Sequence, residues 1–506
     1  MPYESSDQAP AASRDLQFIA SGAGISLLGK VANGCLQFAY SLVLARLLNA
    51  RYVGIFMLGL TIVKIAETLV RLGLDLGTVH FVAIANGEGK HAAIRGLVRS
   101  SIKLTLISSL AVAVPLVIVA PILANWFDMP ELSSIIQILA LSLPFMSVTM
   151  VLLAALLGLR NIASNVLGEK LALPSFILVS TLLLLLSGYG LTGASIGYLS
   201  GVLLTLPLVF FYLKRSLNGN ETTVPPDTNR MLLHFSLPLL LFIFFNQVLI
   251  WTDTLILGLL RPAHEVGIYS VAMRTSIMAS TILASINAIF APMISDLYNR
   301  KDLVRLEYLF KTVSKWILLA TLPIVLIIIL LAKELMLLFG PDFTAGSNAL
   351  IILALTQLAS AGAGSVGFML TMCGRQKIMM YNTLLICPLN IVLNLWLIPE
   401  FGMAGAAAAT CVSIFALNIL MLLQVFRYIR MHPYNTGYLK IIITGIGVFV
   451  LLSVAKFYLV ELHYLYSITA YATLYLVLYA AILGMLGLDE EDSFIYTTLR
   501  RRVLRL

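Results

Sequence analysis

Lys64, Glu67, Arg71 and Asp75 follow one another at spacings of three, four and four inside a long apolar run. That spacing places all four on one face of a helix. Lys64 lies eleven residues from the outer end of the run, about 16 Å deep at roughly 1.5 Å per residue. Charges at such depth cost several kcal/mol unless they face a partner or a wet cavity. Two chemistries fit. The four groups can neutralise one another as i, i+3 and i, i+4 pairs, or they can line a cavity that touches an anionic substrate or a coupling ion.

Other polar groups recur at helical spacing in neighbouring apolar runs. Ser26, Lys30, Asn33, Gln37 and Ser41 share a face of the first; Asn246 and Asp253 lie seven apart on the seventh; Ser270, Arg274, Thr281 and Ser285 mark the eighth. Asn390 and Asn394 form an i, i+4 pair on the eleventh. Asparagine inside a membrane more often bonds helix to helix than it meets a ligand, and both roles stay open here. The deep cations are Lys30, Lys64, Arg71 and Arg274, against Glu67 and Asp253, with Asp75 near the inner boundary. A cationic surplus of this kind suits a phosphate or pyrophosphate, because Lys and Arg make charge-assisted hydrogen bonds that strengthen away from bulk water.

The elements that must hold these groups follow from composition. Of 506 residues, 60% are hydrophobic and only 11% charged, whereas a soluble domain carries about 25% charged residues. This is the composition of an all-α polytopic membrane protein, and it excludes a soluble enzyme or a nucleic-acid-binding module despite the net charge of +9. A window of about 19 residues places spans near 18–45, 53–79, 101–124, 133–159, 171–188, 192–213, 231–258, 268–293, 312–332, 347–373, 381–398, 403–426, 441–459 and 467–487, about fourteen in all. With the N-terminus inside, 24 of the 33 basic residues fall in cytoplasmic segments and five outside, which predicts that both termini are cytoplasmic. The first apolar run exceeds a signal-peptide core, so the first helix is expected to remain as an anchor. The four cysteines lie in apolar runs without a CxxC pair and read as small core residues.

Val53-Gly54-Ile55-Phe56 recurs as Val266-Gly267-Ile268-Tyr269, a shift of 213, and Gly190-Leu191-Thr192-Gly193-Ala194 as Gly402-Met403-Ala404-Gly405-Ala406, a shift of 212. Two six-helix lobes related by a pseudo-twofold axis along the membrane normal are therefore expected. They would occupy 1–213 and 231–426, joined by a cytoplasmic linker at 214–230 and followed by a helix pair and basic tail at 427–506. Gly193, Gly197 and Gly201 should seat a neighbouring helix. Gly362-Ala-Gly364-Ser-Val-Gly367 matches GxGxxG but falls in an apolar helix, where close packing explains it better than nucleotide binding.

Leu44-Ala45-Arg46-Leu47-Leu48, Val53 to Phe56 and Leu72-Gly73-Leu74-Asp75-Leu76-Gly77 resemble the N-terminal signature of the Wzx-type oligosaccharide flippases, in the polysaccharide transporter branch of the MATE-like superfamily. Asp253 with Leu257-Gly258, Val266 to Tyr269 and Ala272-Met273-Arg274 is similar to the family's second-half signature, and Asn390 to Pro399 with Gly402 to Ala407 to its third. The resemblance implies a bacterial inner-membrane protein that moves an undecaprenyl-pyrophosphate-linked oligosaccharide outward by alternating access, for surface polysaccharide such as O-antigen, capsule or exopolysaccharide. Its partners would be that substrate, membrane lipids, and a polysaccharide polymerase with chain-length machinery. In this reading Lys30, Lys64, Arg71 and Arg274 hold the pyrophosphate, and Asn33, Gln37, Asn246, Asn390 and Asn394 meet sugar. Glu67, Asp75 and Asp253 couple an ion, and Arg46 stands at an outer gate. No cofactor is expected beyond a coupling proton or sodium ion. The alternatives are a cation or drug antiporter of the same superfamily and, further off, a membrane glycosyltransferase or glycan polymerase; the latter lacks an acidic motif on a large loop.

Overall fold

A computed structural model describes residues 8–217, 227–458 and 463–486. Most of the expected linker and the whole Arg500-Arg501-Arg502 tail lie outside the described residues. All regular structure among the described residues is helical, as hydrocarbon demands of a chain whose backbone polar groups must be satisfied internally. Among the described residues, thirteen helices are long and apolar enough to cross a membrane.

The chain divides into two compact units, residues 1–267 and 268–506. The first holds α1 (Gln8–Leu47), α2 (Ala50–Arg71), α3 (Leu74–Gly87), α4 (His91–Trp126), α5 (Glu131–Ala140), α6 (Ser142–Gly158), α7 (Ile162–Val166), a π-helical turn (Leu167–Ala172), α8 (Leu173–Leu186), α9 (Gly190–Ser216) and α10 (Thr228–Leu260). Then α11 (Ala263–Ile277) runs across the division. The second unit continues through α12 (Ser280–Asn299), α13 (Leu303–Leu330), α14 (Ala332–Leu337), α15 (Ser347–Ala363), α16 (Val366–Met372), α17 (Gln376–Ile429), α18 (Thr436–Tyr458) and α19 (Tyr464–Met485).

Straight, α17 would be about 80 Å long, far beyond the roughly 30 Å of a hydrocarbon core. It is two helices joined at Gly402 (φ 55°, ψ −133°). Asn390 donates to Ser413 Oγ at 3.3 Å, and Asn382 and Gln424 exchange amide bonds at 2.7 Å, so the halves run antiparallel. Counted as two, α17 restores the fourteen spans. The helices α8 and α9 form the corresponding hairpin of the first unit. Gly190 turns at φ 51°, and a Cβ on Gly197 or Gly201 would lie 2.5 Å from the Cα of Thr181 or Ile177. The glycine stripe thus seats α8, and Ser180 Oγ donates to the Gly197 carbonyl at 2.7 Å. Gly193 presses on the Leu184 carbonyl and Gly405 on that of Leu397, so the internal repeat is a repeat of backbone contacts as well as letters.

Where the two VGI segments meet, α2 and α11 cross with no side chain between them. A Cβ on Gly54 would overlap the carbonyl oxygen of Ala263, and one on Gly267 that of Ala50. Residues 50 and 263 are themselves repeat equivalents, so the two contacts mirror each other.

In the first unit the core gathers Val82, Ile94, Leu97, Leu152, Leu156 and Val209. In the second, Phe290, Phe310, Ile317, Met369 and Leu370 form one cluster, and α18 and α19 pack on α13 in another, where Tyr475 donates to the Gly445 carbonyl at 2.7 Å.

Several expectations are corrected. The expected second span is broken at Leu72 (φ 50°) and Gly73 (φ 71°), and the eighth at Met278 and Ala279. The GxGxxG stretch is not continuous helix: Gly364 (φ 70°) ends α15 and abuts Ser314. The fifth span begins at Ile162 and takes in Lys170, which the expected bounds 171–188 left out, and Lys315 in the ninth is buried at 1% exposure. Cys35 is exposed while Cys373 and Cys387 are buried.

Because overpacking a close contact costs about 1–3 kcal/mol, Gly54→Ala and Gly267→Ala should each lower the melting temperature of the detergent-purified protein. Gly447→Ala, which meets nothing within 4 Å, should leave it within error.

Candidate functional site

Asn49 caps α2 by accepting from Tyr52 N at 2.8 Å, and an unbroken apolar stretch from Val53 to Leu60 is buried on every side. This makes α2 the central helix of its unit. Its charged face begins one turn later. Lys64 Nζ donates to Glu67 Oε2 at 2.8 Å, Arg71 Nε stands 3.7 Å from Glu67 Oε1, and Arg71 Nη1 donates to Asp75 Oδ2 at 3.1 Å. Asp75 reaches this position from another helix: it sits in the first turn of α3, where a carboxylate is favoured by the helix dipole, and its Oδ1 accepts from Leu76 N at 3.0 Å. The sequence placed the four groups on one helix. The structure assembles them across a break, which Gly73 permits both by its positive φ and by letting the Ser236 carbonyl of α10 approach to 2.5 Å of where a Cβ would be.

Glu67 is the buried centre, with its side chain 4% exposed against 25% for Lys64, 20% for Arg71 and 25% for Asp75. The ladder carries two positive and two negative charges. The cationic surplus read from the sequence therefore does not hold on this face, because Asp75 pairs with Arg71 instead of lying apart at the boundary. Arg71 Nε is buried and, among the described residues, has no hydrogen-bond partner. Lys64 also lies 5.9 Å from the ring centroid of Tyr198 on α9, a cation–π arrangement. Tyr198 was not foreseen; its only sequence signal is its position within the glycine stripe, which directs one face of α9 inward.

On α1, Lys30 and Asn33 are half-buried and Gln37 exposed, and Ser41 Oγ donates to the Gln37 carbonyl at 3.0 Å. Arg46 is exposed in the last turn. On α10, Asn246 is half-buried and Asp253 buried at 2% exposure. All of these belong to the first unit. Arg274, half-buried, belongs to the second, as do Asn390 and Asn394, both at 1% exposure or less. Asn394 Nδ2 donates to the Asn390 carbonyl at 2.9 Å and to its side-chain oxygen at 3.1 Å, while Asn390 reaches Ser413. These amides fasten the α17 hairpin, which is the packing role left open above.

The family model described as "Polysaccharide biosynthesis protein" matches residues 19–298, more than half of the chain, and the MatE model matches 235–396. Agl15 of Haloferax volcanii, a "probable low-salt glycan biosynthesis flippase", is 27% identical over 172 residues; the match spans 34% of this chain and only 36% of Agl15. Stage V sporulation protein B of Bacillus subtilis is 23% identical over 85% of this chain and 88% of its own. Among solved structures, the lipid II flippase MurJ in an inward closed conformation superposes with a TM-score of 0.73 at 14% identity, over 92% of this chain and 98% of that one. This shows a shared fold, in agreement with the resemblance seen in the motifs.

Removing one member of a buried ion pair leaves an uncompensated charge and costs about 3 kcal/mol or more. Glu67→Ala should therefore lower the melting temperature more than Lys64→Ala does, and the Lys64→Ala, Glu67→Ala double variant should fall by less than the sum of the two.

Proposed function

The chain belongs to the polysaccharide biosynthesis protein family, and from that premise we propose that it is a flippase for an undecaprenyl-pyrophosphate-linked oligosaccharide. It would act in a bacterial inner membrane with both termini in the cytoplasm, delivering its substrate to surface polysaccharide synthesis by a polymerase and its chain-length partners. The observation that carries this reading is the ladder itself: two cations and two carboxylates paired along the end of α2 and the first turn of α3.

Moving a pyrophosphate and its sugars across hydrocarbon is costly because the polar head loses its hydration. A polar face inside the protein lowers that cost. Lys64 and Arg71 offer ammonium and guanidinium donors, including the Nε of Arg71, which suit phosphate oxygens. Their present acceptors are Glu67 and Asp75. An arriving phosphate would displace those carboxylates and leave excess negative charge away from water, which is strongly disfavoured unless a proton or sodium ion arrives with it. Substrate binding and ion uptake are in this way coupled by charge balance at Glu67, with Asp253 as a second acidic group on α10. Lys30 and Arg274 would add cations, and Asn33, Gln37 and Asn246 would meet sugar.

In cells that depend on this chain for surface glycan, Lys64→Ala with Arg71→Ala should cut export of the lipid-linked glycan at least tenfold; unchanged export would remove the phosphate role. A Glu67→Gln, Asp253→Asn variant should lose its dependence on the proton or sodium gradient. Efflux of cationic dyes with no effect on glycan export would instead favour the antiporter reading.

A further inference from the structure

A cavity of about 390 Å³ opens within the first unit where α4 turns into α5 and α10 into α11. Its wall is the turn at 126–129, the segment 258–264 and Arg51 at the start of α2. That volume falls within the roughly 300–1,000 Å³ of small-molecule sites. A topology with both termini in the cytoplasm places this end outside, where only five of the 33 basic residues fall. Two of those five, Arg51 and Arg261, line this one cavity.

The wall is held by backbone contacts. The close approaches at Gly54 and Gly267 fix the starts of α2 and α11 against each other, so Arg51 and His264, repeat equivalents at a shift of 213, stand at matching positions on it. Arg51 Nη2 donates to Glu131 Oε1 at 2.7 Å, which ties α2 to the first turn of α5. Asp128 turns the chain between α4 and α5 at φ 52°, its N–H donating to the Asn125 carbonyl at 3.2 Å. Pro262 has no N–H for the Gly258 carbonyl four residues back, which leaves that acceptor to water, a side chain or a ligand. Donors at Arg51, Arg261 and His264 thus share the wall with acceptors at Asp128 and the end of α10. Trp126, 69% exposed, adds an open aromatic ring.

A bare anion entering here would meet the Asp128 carboxylate and find Arg51 already paired with Glu131. A lipid tail would leave donors and acceptors alike without partners, which is costly. Hydroxyl groups both donate and accept, and the C–H face of a pyranose ring is apolar and packs on an aromatic ring. A sugar meets all three parts of the wall. Resting on the flippase reading, we propose that this cavity binds a sugar residue of the glycan on the outer side of the membrane, with Trp126 as the stacking platform and Asp128 as a hydroxyl acceptor. The site is separate from the ladder, which begins at Lys64, thirteen residues beyond Arg51 and about 20 Å along α2.

The test uses the full chain in phosphatidylcholine nanodiscs, titrated calorimetrically with the repeat-unit oligosaccharide that mild acid releases from the surface polysaccharide of cells that depend on this chain. Loss of an aromatic contact corresponds to about tenfold in affinity. Trp126→Ala should weaken binding by about that factor, and Trp126→Phe should retain most of it. Asp128→Asn, which tolerates the same left-handed backbone, should weaken it about threefold to tenfold and carries the test if Trp126→Ala unfolds. Unchanged affinity in both Trp126→Ala and Asp128→Asn overturns the site. So does a wild-type chain that binds no oligosaccharide at millimolar concentration, which would leave Trp126 as an interfacial anchor. Displacement of the oligosaccharide by inorganic phosphate also overturns it, assigning the cavity to an anion. The flippase reading fails by a different result, normal glycan export in cells without the chain.

Discussion

A backbone that leaves its helix inside hydrocarbon must find hydrogen-bond partners within the protein, and most of what is distinctive about this chain lies where it does so. The helix between Arg71 and Asp75 opens against α10, the one between Ala363 and Val366 against Ser314 of α13, and the π-turn at 167–172 against α1. Each interruption sits at a protein-covered position. At two of them charged groups gather: the ladder crosses the first, and Glu169 and Lys170 ride on the third. Irregular backbone and buried charge have the same requirement, a neighbour that can replace water.

That requirement also explains the order of charges on α2 and α3. Lys, Glu, Arg and Asp alternate, so each cation has an acid within reach, and Glu67, the most buried, lies near two cations. A neutral ladder can be folded into an apolar unit at modest cost, whereas four like charges could not.

Fold and repeat were largely legible in the residues. The fourteen spans, the α17 hairpin and the seating of α8 by Gly193, Gly197 and Gly201 follow from apolar runs and small-residue spacing, because membrane burial acts on every residue of a span alike. The family motifs were legible too. The expected fifth span stopped short of Lys170 because a hydropathy window treats a charge as the end of a span, while the helices from Ile162 to Leu186 run through it. The break at Leu72 and Gly73 escaped notice because a 3.6-residue spacing continues across it.

By itself, the sequence determined the class of protein, the number of crossings, the internal repeat and the residue types able to meet an anion, since these depend on composition and period along one chain. Only tertiary structure decided which of those charges neutralise one another. Pairing is set by distances of about 3 Å, within α2 for Lys64 and Glu67 and across the helix break for Arg71 and Asp75, and the second of these depends on backbone geometry at Leu72 and Gly73 that no periodicity reports.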